Sequence, residues 1–142
     1  MLKEFAKKAP QREKEARAVI KTAPGVGVVT TEVVISELGD VTRFRNSKAV
    51  VAYAGLAPVV RQSGGKKAKD LAISKAGSGL LRWVLVEAAW SAVHHSPRWK
   101  RIYERISKRA GAKRAIVAVA RKLLCMLYAM LKTMTPYRIL AT

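Results

Sequence analysis

Acidic residues are scarce in this sequence. Nine of them stand against 28 lysines and arginines in 142 residues, a formal net charge of +19. The nine (Glu4, Glu13, Glu15, Glu32, Glu37, Asp40, Asp70, Glu87 and Glu104) are scattered through helical, lysine-rich or loop contexts. They make no two-metal carboxylate cluster, so no metal site and no cofactor are expected in this chain. The single cysteine, Cys125, excludes an intrachain disulfide and a multi-cysteine zinc site. Its setting, "KLLCMLYAML", reads as a buried, inert thiol. The two histidines, His94 and His95, are adjacent, so on a helix they point apart and chelate one ion poorly. The longest unbroken apolar run, Leu123 to Leu131, is nine residues long, too short to span a bilayer. The start "MLKEFAKKAPQREKEAR" is charged and lacks the apolar stretch of a signal peptide. A cytoplasmic or nucleoid-associated protein is expected.

Apolar residues are plentiful: they make up 50% of the chain, which excludes a disordered basic tail. The length suits one domain, 1–142, with one core. A folded chain this basic repels itself unless it meets a polyanion. Nucleic acid is the leading partner, an anionic membrane surface the second and ribosomal packing the third. The membrane role is weakest, because the cations do not gather opposite a single apolar stripe.

Apolar spacing predicts mainly α structure. A helix is expected over 2–22, interrupted or restarted near Pro10. "VVTTEVVISELG", Val28 to Gly39, reads as a second helix, although its β-branched residues make a strand a fair competitor. Ser47 is expected to cap a short third helix, Ser47 to Ala54, ended by Gly55. The stretch from about 56 to 75 has no helical period and carries Pro58 and Gly64-Gly65. Two extended arms meeting at Ser63-Gly64-Gly65 would form a basic β-hairpin standing out from the body. From about 77 to 134 a helical bundle is expected. Its helices begin near Ser78, at Ser96-Pro97, and near Ala112 after Gly111. The last is apolar nearly all round past Arg121, so it is central to the core or part of an assembly surface, with the Leu123, Leu127 and Met130 side available.

Two segments carry candidate chemistry. "PGVG", Pro24 to Gly27, between two helices gives a helix-hairpin-helix pattern over about 10–39. Gly25 and Gly27 would leave backbone N–H groups bare at the positive end of the second helix, where a phosphate can sit. A tight connection with no ligand is the alternative. Arg43, Arg45 and Lys48 in the following loop suit phosphate contacts, and "RISKRAGAKR", Arg105 to Arg114, holds five further cations. Trp83, Trp90 and Trp99 are more often core than base-stacking residues. In the second segment Ser63 lies among Arg61, Lys66, Lys67, Lys69 and Lys75, with Arg82 able to approach from the next helix. Cations so placed stabilise a developing alkoxide and the charge on an attacked phosphodiester. A serine in a basic, solvated turn is the bland alternative, and no His-Asp pair stands nearby as base.

The marks "PGVG", "ELGDVTRF", "AYAGLAPVVRQSGG", "ISKAGSGLLRWVL" and a late "VAVARKLL…ML…PY" occur in that order over about residues 20 to 138. Together they resemble the C-terminal transposase domain of DEDD-type insertion-sequence transposases, the bridge-RNA-guided recombinases. The resemblance implies that Ser63, in "QSG", is a serine nucleophile forming a transient 5′-phosphoserine link to DNA. Ser74 is a weaker candidate. Where the family has "SKxGN", this chain has "SKAGS", so Ser78 replaces the usual Asn. The resemblance also implies DNA and bridge RNA as partners, a dimer or tetramer, and a divalent metal held by an N-terminal RuvC-like domain with four acids. That acidic domain is expected to be missing here, so the chain should bind nucleic acid alone without recombining it. The rivals are a non-enzymatic helix-hairpin-helix module and a structural RNA-binding protein.

Overall fold

The computed structural model describes residues 12–57 and 78–138. Its described residues are mainly helical, as expected, with no strand among them. Helix α1 covers residues 12–20; the restart expected near Pro10 lies outside the described residues. After the Pro24–Gly27 turn come α2 (Val28–Leu38), a 3-10 turn (Val41–Arg43) and α3 (Ser47–Tyr53). The second half holds α4 (Gly79–His95), α5 (Pro97–Ala110) and α6 (Ala112–Thr133).

The competition between helix and strand in the β-branched stretch goes to helix. In α2 the buried side chains are Thr30, Thr31, Val34 and Leu38, a helical period that puts one face inward. Buried Thr31 satisfies its hydroxyl by donating to Gly27 O at 2.7 Å, which removes the penalty a bare buried hydroxyl would carry. Arg17 of α1 clamps the outer face, its Nε 2.7 Å from Glu32 Oε1. Gly39 ends the helix.

Caps fix the other helix starts. Asn46, not Ser47, caps α3: its side chain accepts from Ala49 N at 3.0 Å, and Ser47 is the first helical residue. Asn reaches its third-neighbour amide as readily as Ser does, so position decides which one caps. Ser78 caps α4 through Leu81 N at 3.0 Å. Ser96 caps α5, with Pro97 in its first turn.

Helix α6 packs against α3, α4, α5 and the 3-10 turn, and α4 also meets α2 and α5. One apolar cluster joins Ile20 of α1, Val34 and Leu38 of α2, and Leu81 and Leu85 of α4 to Leu123, Leu124 and Leu127 of α6. This packing overturns the expected assembly surface: Leu123 and Leu127 are fully buried, and Met130 is 6% exposed. A helix apolar all round needs neighbours on every side, and here the chain's own helices supply them. Tyr128 adds a tie, donating its hydroxyl to Phe44 O at 3.3 Å.

The expected hairpin also starts too early. Leu56 is 1% exposed, and its N–H bonds Val51 O at 3.0 Å, so it closes α3 and belongs to the core. The rest of that segment, from Pro58 to Gly77, lies outside the described residues.

Candidate nucleic-acid interface

The clearest local geometry surrounds the two ends of the 58–77 stretch. Ser78 N donates to Tyr53 O at 3.0 Å, so the chain leaves α3 and re-enters α4 at one point. Arg121 of α6 donates from Nε to Leu56 O at 2.9 Å. Arg82 of α4 lies against Gly55, where an added Cβ would fall 2.8 Å from Arg82 Nη1. Gly55 therefore makes room for a guanidinium, and two half-buried arginines from different helices flank the point where the stretch begins and ends. Arg121 was not legible as part of any site; its place follows only from α6 crossing behind α3. Ser63, Arg61, Lys66, Lys67, Lys69 and Lys75 lie outside the described residues, as does Ser74.

The glycines of the Pro24–Gly27 turn have different jobs. Gly25 has φ +79°, and a Cβ there would fall 2.3 Å from Ala88 O and 2.8 Å from Ala92 N. It is the contact that lets the turn dock on α4. Gly27 is open, with nothing within 4 Å of an added Cβ. It begins α2 without a side-chain cap. Val28 and Val29 follow it at 67% and 65% exposure. The bare helix start is thus at Gly27, and Gly25 supports it from behind.

In the loop after α2, Arg43 is committed to the fold. It donates to Leu38 O at 2.9 Å and Glu37 O at 3.0 Å, and it stacks over Phe44 and Tyr53 at 4.4 and 5.1 Å. A guanidinium at a helix C-terminus completes carbonyls that have no partner within the helix. Arg45 and Lys48 are exposed on either side of Asn46, free of such bonds.

The three tryptophans, expected to be more often core, divide in the structure. Trp99 is buried, and Trp90 is half-buried against Tyr103 at 5.5 Å between ring centres. Trp83 is 57% exposed and Leu80, one turn earlier, 52% exposed. Both stand in the first turns of α4, just after Ser78. His95 turns back on its own helix, its Nδ1–H donating to Ser91 O at 2.9 Å. No group of His, Cys, Asp or Glu among the described residues could hold a metal ion.

The carboxylates near α1 and α2 serve the fold. Bonding from Arg17 holds the Glu32 carboxyl below its ordinary range, helped by the charge of Lys21. Asp40 is held low first by bonds from the Thr42 hydroxyl and amide, at 2.7 and 3.0 Å. The guanidinium charges of Arg12 and Arg43 add to this.

The profile of the Transposase IS116/IS110/IS902 family matches residues 17–104. This chain belongs to that family. The matched span runs from α1 into α5 and brackets the 58–77 stretch. Among relatives, the transposase of insertion sequence element IS1111A from Coxiella burnetii is 31% identical over 92% of this chain and 37% of its own length. A putative transposase of Sinorhizobium fredii is 37% identical over 82% of this chain and 30% of its own. The pilin gene-inverting protein of Moraxella bovis is 30% identical over 84% and 38%. This family member thus spans about a third of the length of these relatives. Ser78 caps α4, a position at which Asn would serve equally well. Among the described residues, no helix of this family member is long and apolar enough to cross a membrane.

Proposed function

We propose that this chain is the DNA-binding, serine-bearing part of an insertion-sequence recombinase, acting with a RuvC-like domain that carries the divalent metal. The support is the family match over 17–104, which contains the "QSG" segment. The residues flanking the 58–77 stretch add to it, because Ser78 is bonded to Tyr53 close to Arg82 and Arg121. In this reading Ser63 Oγ attacks a DNA phosphorus in line. The Oγ–P bond forms and the P–O3′ bond breaks. The serine proton passes to a base or water, and the 3′ oxygen leaves protonated. The cations Arg61, Lys66, Lys67, Lys69 and Lys75 hold the non-bridging oxygens and stabilise the charge that builds on them. Gly27, Arg45 and Lys48 contact backbone phosphates elsewhere on the duplex. The partners are DNA and a bridge RNA, and the working form is a dimer or tetramer.

The open start of α2 at Gly27 favours a second reading, a non-enzymatic module that grips duplex backbone. Ser63→Ala separates the two. The chain is combined with a metal-bearing RuvC-like domain and DNA carrying an element end, and protein–DNA complexes that survive denaturation are counted. The recombinase reading expects covalent capture to vanish while binding stays within about threefold, since a neutral hydroxyl contributes little to backbone affinity. Undiminished capture by Ser63→Ala would refute the nucleophile. Absence of capture in both proteins, with tight duplex binding, would favour the module.

A further inference from the structure

The charge of this chain is not spread evenly over its two halves. Residues 12–57, which contain the Pro24–Gly27 turn, carry seven lysines and arginines against five acids. Two of those acids, Glu13 and Glu32, are paired with Arg17. Residues 97–122 carry ten lysines and arginines against one acid, Glu104. The segment expected to hold phosphate through its glycine turn is therefore nearly neutral, and among the described residues the field is concentrated on α5 and the first half of α6.

The structure shows how that charge is displayed. In α5 the inward face is Trp99, Ile102, Tyr103 and Ile106, of which Trp99 is buried and the others half-buried. The cations fall on the opposite side. Arg98, Arg101, Arg105 and Lys108 recur every three or four residues, one stripe along the helix. From Arg98 to Lys108 the stripe runs along about 15 Å of the 14-residue helix. At Gly111 the chain turns into α6, where exposed Lys113 and Arg114 continue the charge. These two sit at the positive end of the α6 dipole, whose first turn has no acid. That placement raises the local potential and opposes folding in the absence of an anion. Among the described residues, none of these cations is held in an ion pair.

The aromatic distribution says what kind of polyanion fits. Trp99 is buried and Tyr103 is turned onto Trp90, so the cationic side of α5 offers no platform on which a splayed base could stack. Single strands are gripped by charge and stacking together. A straight cationic helix without exposed aromatics has only charge to offer, and suits the regularly spaced phosphates of a double helix.

We infer that the outer face of α5, continued by Lys113 and Arg114 at the start of α6, is a docking surface for the phosphate backbone of double-helical nucleic acid. It is separate from the glycine turn and supplies most of the electrostatic affinity that the described residues offer. The inference rests on the proposed nucleic-acid role and adds where, and on what form, the charge acts.

The test uses the full chain with fluorescent duplexes of one sequence as DNA and as RNA, and a single strand, titrated from about 50 to 200 mM salt. A fourfold variant, Arg101→Gln, Arg105→Gln, Lys108→Gln and Arg109→Gln, changes exposed side chains only. Each lost phosphate contact removes about 0.9 from the slope of log affinity against log salt. The variant should lose between about three and four units of slope and at least about tenfold in duplex affinity, equally on whichever duplex the wild type binds better. Lys113→Gln with Arg114→Gln should lose between about one and two units, which keeps the test alive if the fourfold variant folds poorly. Arg12→Gln with Lys21→Gln, in the near-neutral half, should lose less than about one unit. Duplex binding by the wild type with unchanged slopes in both α5–α6 variants would overturn this inference and leave the functional proposal standing. A loss confined to the single strand would do the same. A wild type that binds no nucleic acid even at the lowest salt would overturn both.

Discussion

Gly25 shows how one residue sets the relation between two helices. Its φ of +79°, and the collision an added Cβ would make with Ala88 O, leave no place for a side chain. The obstacle is backbone, so it cannot swing aside. Gly25→Ala should lower stability by roughly 2–4 kcal/mol, combining left-handed strain with overpacking. Urea unfolding measures it, and a loss under about 1 kcal/mol would mean that the turn can lift off α4. Gly27 has no such neighbour, so the two glycines of one motif answer to different physics. Arg43 teaches a similar lesson. A loop arginine in a basic chain looks like a phosphate ligand, yet its donors close the end of α2. Sequence gives an arginine's charge, whereas only the fold says which acceptors it already has.

At the scale of elements, α1 and α2 are held together by polar contacts as well as by their core. Glu32 is held low by Arg17, and Asp40 by Thr42 and then by nearby guanidinium charge. A carboxyl whose folded pKa lies below its unfolded value stabilises the fold above that unfolded value, about 4 for these groups. That contribution is lost as pH falls through the depressed folded pKa. Both groups are exposed, so each effect is modest and screened by salt. Stability of the chain should decline on the acid side of about pH 4, and Glu32→Gln should decline less steeply there while being the less stable protein at neutral pH. Urea unfolding across the acid range checks this, and parallel curves for the two proteins would refute the role given to Glu32.

The elements were largely legible in the sequence. Gly39, Gly55, Gly111 and Ser96-Pro97 mark real ends and starts, because these residues act through local backbone geometry and caps. Where the reading slipped, the deciding contact was distant. Leu56 looked like the first residue of a projecting arm, but α3 and the core claim it. The Leu123, Leu127 and Met130 side of α6 looked available for assembly, but neighbouring helices cover it. Of the candidate site, Ser63 and its flanking cations rest on motif resemblance alone. Arg121, joined to Leu56 across 65 residues, had no sequence signal.

Over the whole molecule, a net charge of +19 means that the folded chain works against its own repulsion. Salt shortens the reach of that repulsion, to about 10 Å at 0.1 M and about 3 Å at 1 M. The melting temperature should therefore rise between about 10 mM and about 0.5 M sodium chloride, opposite to the fall expected of the proposed nucleic-acid binding over the same range. Thermal unfolding followed by circular dichroism measures it. A flat or falling curve would show that the cations stand too far apart to oppose folding.

The sequence by itself determined that this chain is helical, strongly basic and built on transposase-family motifs. Apolar period, end-marking residues and short motif strings are properties of neighbours along the chain, and net charge is a sum over it. Only the tertiary structure decided which glycine packs and which stays open, and which arginines are already occupied. It also decided that Tyr53 and Ser78, on either side of the 58–77 stretch, meet close to Arg82 and Arg121, and that α5 turns its cations outward. Those outcomes depend on contacts between residues far apart in sequence, and such contacts exist only once the core has closed.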